Sequence, residues 1–84
     1  MDYKWDDAGA NVTRIDVRGL KCPLPVLKAA KRIKSLPVGE TLEVWTTDPM
    51  AAIDIPHFCS EGGHDLLEQI EEAGYSRFVI RKTG

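Results

Sequence analysis

Cys22-Pro23-Leu24-Pro25 is the part of this 84-residue sequence whose residue types could do chemistry. Proline suits the first helical turn, where its missing N–H has no intrahelical partner and its fixed φ is already helical. The pattern predicts a helix start with Cys22 at or beside the N-cap, Pro23 at N1 and Pro25 at N3, ahead of the apolar run Val26, Leu27, Ala30 and Ile33. Unpaired N–H groups and the positive end of the helix dipole would then face the sulfur and favour thiolate over thiol. A cysteine so placed titrates at roughly 3.5–7.5, against about 8.5 for a free thiol. The expected chemistry is that of a sulfur nucleophile held by a stiff turn. The plainer reading is a small buried hydrophobe beside a helix that prolines happen to start.

The charge pattern adds to the sharper reading. The chain carries a formal net charge of −2, yet Arg14, Arg18, Lys21, Lys28, Lys31, Arg32 and Lys34 stand against the single acid Asp16, so residues 14–34 are +6 and the rest −8. Nearby positive charge favours a thiolate. Lys31, Arg32 and Lys34 have a blander explanation, because cations in a last helical turn complement the dipole and solvate a surface. That explanation does not cover Arg18 and Lys21, which become candidates for shaping the sulfur's electrostatics.

The elements that must hold this sulfur follow from period and turn chemistry. Residues 1–11 show no sustained period and are read as a flexible tail, with residues 12–84 as one small domain. Thr13–Val17 alternates as a half-buried strand with Ile15 and Val17 inward. A helix is predicted from about Pro23 to Ser35, stopping before Pro37-Val38-Gly39, and Thr41–Thr46 alternates again with Leu42 and Val44 inward. Strand, helix, strand over so short a stretch implies a parallel pair with the thiol at the carboxyl end of the first strand, the edge where open α/β sheets place their sites. Asp48-Pro49 repeats the capping pattern for a second helix, and Pro56 inside it predicts a kink or two short helices. Gly62-Gly63 ends that segment.

Asp65–Ala73 is ambiguous. Leu66, Leu67, Ile70 and Ala73 have helical spacing in good helix formers, whereas Ala73-Gly74 reads as a tight turn into the strand Tyr75–Lys82, making Asp65–Glu72 its hairpin partner. The residues leave both readings open.

Asp16-Val17-Arg18-Gly19-Leu20-Lys21-Cys22-Pro23-Leu24-Pro25, Pro37-Val38-Gly39-Glu40, Thr47-Asp48-Pro49, Asp54-Ile55-Pro56-His57-Phe58-Cys59 and Phe78-Val79-Ile80-Arg81-Lys82 occur in an order that resembles the TusA/SirA family of small sulfur-carrier proteins. The resemblance spans roughly residues 12–84, leaving the tail and its Trp5 outside the pattern. It implies an α+β fold, a two-layer sandwich of β-α-β-α-β-β order with a four-stranded mixed sheet and two helices on one face, which makes Asp65–Glu72 a strand. It also implies that Cys22 accepts sulfane sulfur as a persulfide and passes it on, a sulfurtransferase activity serving tRNA thiolation or other sulfur trafficking. Arg18, Lys21, Pro23, Pro25, Asp48 and Pro49 would shape the site, and no cofactor is implied. The partners would be a protein donor, a cysteine desulfurase or rhodanese, and a protein acceptor. Docking through the basic segment should weaken with salt.

Other residues have weaker claims. Cys59, at helical spacing from Ile55, reads as a packing residue or else a resolving thiol. His57, His64, Cys59 and Cys22 match no paired metal-ligand spacing, so no metal is expected. Trp45 lies on the strand face opposite Leu42 and Val44, as a partner contact or packed under the tail. The chain has no apolar run of transmembrane length and no signal-peptide order, so a cytoplasmic location with reduced thiols is expected and no membrane partner. An acidic balance with few aromatics argues against direct nucleic-acid binding. The alternative to a carrier is a regulatory or adaptor module of the same fold that binds a partner protein through its basic first helix.

Overall fold

A computed structural model describes residues 12–83. The tail, Trp5 included, lies outside the described residues. Within them the order is β1 (Val12–Asp16), α1 (Leu24–Lys34), β2 (Thr41–Thr46), α2 (Ala51–Gly62), β3 (Asp65–Glu72) and β4 (Tyr75–Arg81). The strands form one mixed sheet in the order β1-β2-β4-β3. β1 runs parallel to β2, with Ile15 opposite Val44, while β4 is antiparallel to both β2 and β3.

Each helix buries one stripe. Pro25, Ala29 and Ile33 of α1 and Ala51, Ile55 and Cys59 of α2 recur every fourth residue, which places them on one face of a 3.6-residue helix. These stripes form one core with Val17, Leu36 and the inward residues Leu42, Val44, Phe78 and Ile80. Each fully buried Leu, Ile or Phe contributes roughly 1.5–3 kcal/mol relative to exposure. The helix-free face carries the alternate residues. There the buried Glu43 carboxylate accepts from Arg14 Nε at 3.1 Å and Trp45 Nε1 at 2.6 Å. Trp45 is half-buried, its ring 5.3 Å from that of Tyr75.

One of the two alternatives for the second helix is excluded. α2 is one element of 12 residues running through Pro56, not two short helices; a single missing N–H is outweighed by the packed stripe on either side of it. It ends where Gly63 takes φ 76°, a left-handed conformation open to glycine, and His64 N–H donates to the Cys59 carbonyl at 2.9 Å.

The ambiguous segment is a strand, as the resemblance implied. A bulge explains its helical spacing: Leu66 pairs with Ile80 and Glu68 with Val79, leaving Leu67 extra. Leu66 therefore points toward the core, while Ile70, opposite Arg77, falls on the helix-free face. Apolar residues that looked like one helical stripe serve two faces of a bulged strand.

Candidate functional site

Because β1 and β2 are parallel, their carboxyl ends share one edge, and the loops leaving them meet there. Gly19, at φ 88°, donates its N–H to Thr47 Oγ1 at 2.9 Å and ties the two loops together. Between them lies a cleft of about 400 Å³ lined by Gly19, Leu20, Lys21, Thr47, Asp48 and Pro49. Cys22 follows Lys21 and is exposed.

The helix start differs from expectation by one residue. Leu24 N–H donates to the Lys21 carbonyl at 2.8 Å, closing a turn before the helix, and Pro23 at φ −97°, ψ 13° is the N-cap. Pro25 is thus the second helical residue, buried against the sheet, and Cys22 stands one position outside the cap. The Cys22–Pro23 peptide is cis.

The larger correction concerns charge. Cys22 Sγ donates a hydrogen bond to Asp54 Oδ2 at 3.1 Å, bridging from the start of α1 to the first turn of α2. The thiol pKa is raised above its ordinary range, first by that hydrogen bond, then by lost hydration and by the negative charges of Asp54 and Asp48. This direction runs against the expectation of a thiolate, because the fold brings Asp54 and Asp48 to the sulfur. Arg18 is committed elsewhere: it grips Asp16 through Nε and Nη2 at 2.8 Å each, and its guanidinium lies over the Trp45 and Tyr75 rings at 5.1 and 5.3 Å. That grip holds the Asp16 carboxyl below its usual range. Lys28, Lys31 and Arg32 line a separate groove of about 470 Å³ with Ile15, Val17 and Leu20, and Cys22 is not part of its lining. Only Lys21, exposed, neighbours the sulfur in sequence.

Asp48 and Pro49 do not cap α2 as expected. The N-cap is Met50, with no side-chain cap. Asp48 instead donates its N–H to Thr46 Oγ1 at 3.1 Å and accepts the Ala51 N–H on its carbonyl at 3.1 Å. Its Oδ2 is buried and has no hydrogen-bond partner among the described residues. Sequence reasoning missed Asp54 altogether. It lies within Asp54-Ile55-Pro56-His57-Phe58-Cys59, but nothing in a separation of 32 residues signals contact with Cys22.

The same two helices also leave apolar side chains exposed. Leu24 and Leu27 on α1, and Met50 at the N-cap of α2 with Ile53 inside it, are all exposed, each pair at i, i+3 spacing on helices that pack together.

The second thiol has a different setting. Cys59 is 3% exposed in the core, and burial pushes its pKa up to about 11. His64 packs on the Phe58 ring and accepts the Thr83 N–H on Nδ1 at 3.3 Å. Among the described residues, no three His, Cys, Asp or Glu side chains converge as metal ligands, and no helix is long and apolar enough to cross a membrane.

A SirA-like protein from Desulfitobacterium hafniense shares the fold, with a TM-score of 0.75 over 87% of this chain and 99% of its own at 21% identity. The sulfur carrier proteins TusA of Pseudomonas entomophila and Pseudomonas aeruginosa are 47% and 46% identical to this chain over 68 residues. The matched part is 81% of this chain and 85–86% of theirs. The family model described as sulfurtransferase TusA matches residues 13–82, which include the Cys-Pro-x-Pro turn, Asp48 and Asp54, and the chain belongs to that family.

Proposed function

We propose that this protein is a sulfur carrier that takes sulfane sulfur onto Cys22 as a persulfide and hands it to a protein acceptor. The observation that carries this reading is the exposure of Cys22 at the carboxyl edge of the parallel strands, in the Cys-Pro-x-Pro turn of a chain whose relatives are named sulfur carriers. The Cys22 sulfur attacks the terminal sulfur of a donor persulfide, the donor sulfur leaves as a thiolate, and a persulfide remains on Cys22. Attack by the acceptor thiol reverses the exchange. The exposed Leu24, Leu27, Met50 and Ile53 would be covered when a donor or acceptor docks, which would keep water from the sulfur in transit.

The remaining site residues have supporting roles in this reading. Pro23 and Pro25 fix the turn that presents the sulfur, Lys21 supplies the adjacent cation, and Asp48 with Pro49 forms the far wall of the cleft. Arg18 acts at a distance by fastening the loop after β1 to Asp16. The donor is of the cysteine desulfurase or rhodanese type, the relay is tRNA thiolation or another sulfur pathway, and the setting is the cytoplasm, where both thiols stay reduced.

Incubation with a persulfide-charged cysteine desulfurase or a loaded rhodanese, followed by mass spectrometry, tests the proposal. One added sulfur is expected on Cys22, retained in Cys59→Ser and absent in Cys22→Ser. A cellular function that survives Cys22→Ser would favour the adaptor reading instead.

A further inference from the structure

The Cys22–Asp54 hydrogen bond is a poor arrangement for a nucleophile that should always be ready, yet a good one for a carrier that must let go. Asp54 lies in the first turn of α2, where a helix dipole favours negative charge, and the hydrogen bond it accepts from Cys22 Sγ at 3.1 Å is its one side-chain hydrogen bond among the described residues. Asp48, from the loop before α2, adds a second negative charge, and Lys21 is the cation next to Cys22 in sequence.

We propose that Asp54 sets the direction of sulfur flow: its carboxylate holds the emptied Cys22 as a neutral hydrogen-bonded thiol and destabilises a persulfide anion at the same position. The inference rests on the persulfide reading given above. A persulfide is more acidic than the thiol it came from, so loaded Cys22 tends to carry its charge on the outer sulfur, one S–S bond of about 2.05 Å beyond Sγ. The loaded side chain has lost the proton that Sγ donated, and its negative charge stays within a few ångströms of the carboxylate.

The exchange is Cys22–S–S⁻ plus acceptor R–SH giving Cys22–SH plus R–S–S⁻. One S–S bond breaks as another forms, the acceptor's proton ends on the Cys22 sulfur, the charge stays at −1, and no external oxidant or reductant is used. Asp54 favours the product side twice, by repelling Cys22–S–S⁻ and by accepting a hydrogen bond from Cys22–SH. A donor loads the carrier only by supplying what offsets the carboxylate, and a cation on the docked partner would do so. Between encounters the emptied carrier is slow to alkylate and to oxidise, since the thiolate is the reactive form. The raised thiol pKa has the same sign as this arrangement.

Asp54→Asn tests the charge while keeping the shape, with Asp54→Ser as a second variant and a thermal melt to confirm that each folds. First, iodoacetamide alkylation of Cys22 is followed against pH by peptide mass spectrometry, which separates it from Cys59. The variants should react several-fold faster at neutral pH, with the profile moved to lower pH. Second, each protein is loaded with sodium polysulfide and equilibrated with glutathione. The variants should retain sulfur on Cys22 at several-fold higher glutathione than the wild type. An unchanged alkylation profile, or unchanged retention in proteins that do load, overturns the role of Asp54 and leaves the carrier reading standing. If Cys22 takes no sulfur in wild type or variants, from polysulfide or from a protein donor, the carrier reading falls and the inference with it.

Discussion

The two thiols of this protein are both shifted toward their protonated form, but the leading cause differs. Cys22 stands at the surface beside one carboxylate, and Cys59 lies in the core against the stripe of Ala51 and Ile55. The hydrogen bond to Asp54 leads in raising the first, with lost hydration and nearby negative charge behind it, while lost hydration leads in raising the second to about 11. The difference teaches that reversibility is decided by what causes a shift, not by its direction. A surface carboxylate is offset by one approaching cation, whereas a buried thiol is released only by opening the core.

The contrast is broken most directly by alkylation. In the folded protein Cys22 should react about a thousandfold or more faster than Cys59, because a core thiol waits on unfolding against a stability of roughly 5–15 kcal/mol. Peptide-resolved mass spectrometry checks this, and the two rates should converge in concentrated urea. Comparable rates in the native state would mean that the α2 stripe opens locally.

Stability sharpens the comparison on a smaller scale. Cys59→Ala removes a buried sulfur and should cost about 1 kcal/mol, whereas Cys22→Ala at the exposed edge should stay within about 0.5 kcal/mol, both read from urea midpoints. A further effect is alkaline. Cys59 keeps its proton to about 11 in the fold but ionises near 9.0 when unfolded. The stability contributed by its neutral thiol is therefore complete below pH 9 and is lost as pH climbs toward 11. The melting temperature of the wild type should fall by several degrees across that window, and in Cys59→Ala the fall should be shallower. Cys22, raised in the same direction, leaves a residual slope in that variant.

Much of the fold was legible in residues taken a few at a time. The alternation of Thr41–Thr46 gave β2 with the boundaries observed, and the apolar spacing closed by Pro37 gave α1 to within a residue at each end. Asp65–Glu72 was not legible locally, because a bulge at Leu67 shifts the inward–outward phase and the surviving pattern imitates a helix. The capping roles of Asp48 and Pro49 failed for a related reason: whether a side chain reaches a free N–H depends on how the chain enters the helix, and Met50 enters α2 already helical, at φ −71°, ψ −17°.

The sequence alone determined the order of the elements up to α2, the parallel first pair and a cysteine among prolines at its carboxyl edge, since period, turn residues and proline geometry act over a few neighbouring positions. Only the tertiary structure decided what surrounds the sulfur. It turned Lys28, Lys31 and Arg32 toward a separate groove, tied Arg18 to Asp16, and brought Asp54 to Cys22 across 32 residues. Electrostatic effects follow distance through the folded molecule, so a basic stretch of sequence came to present an acid-guarded thiol.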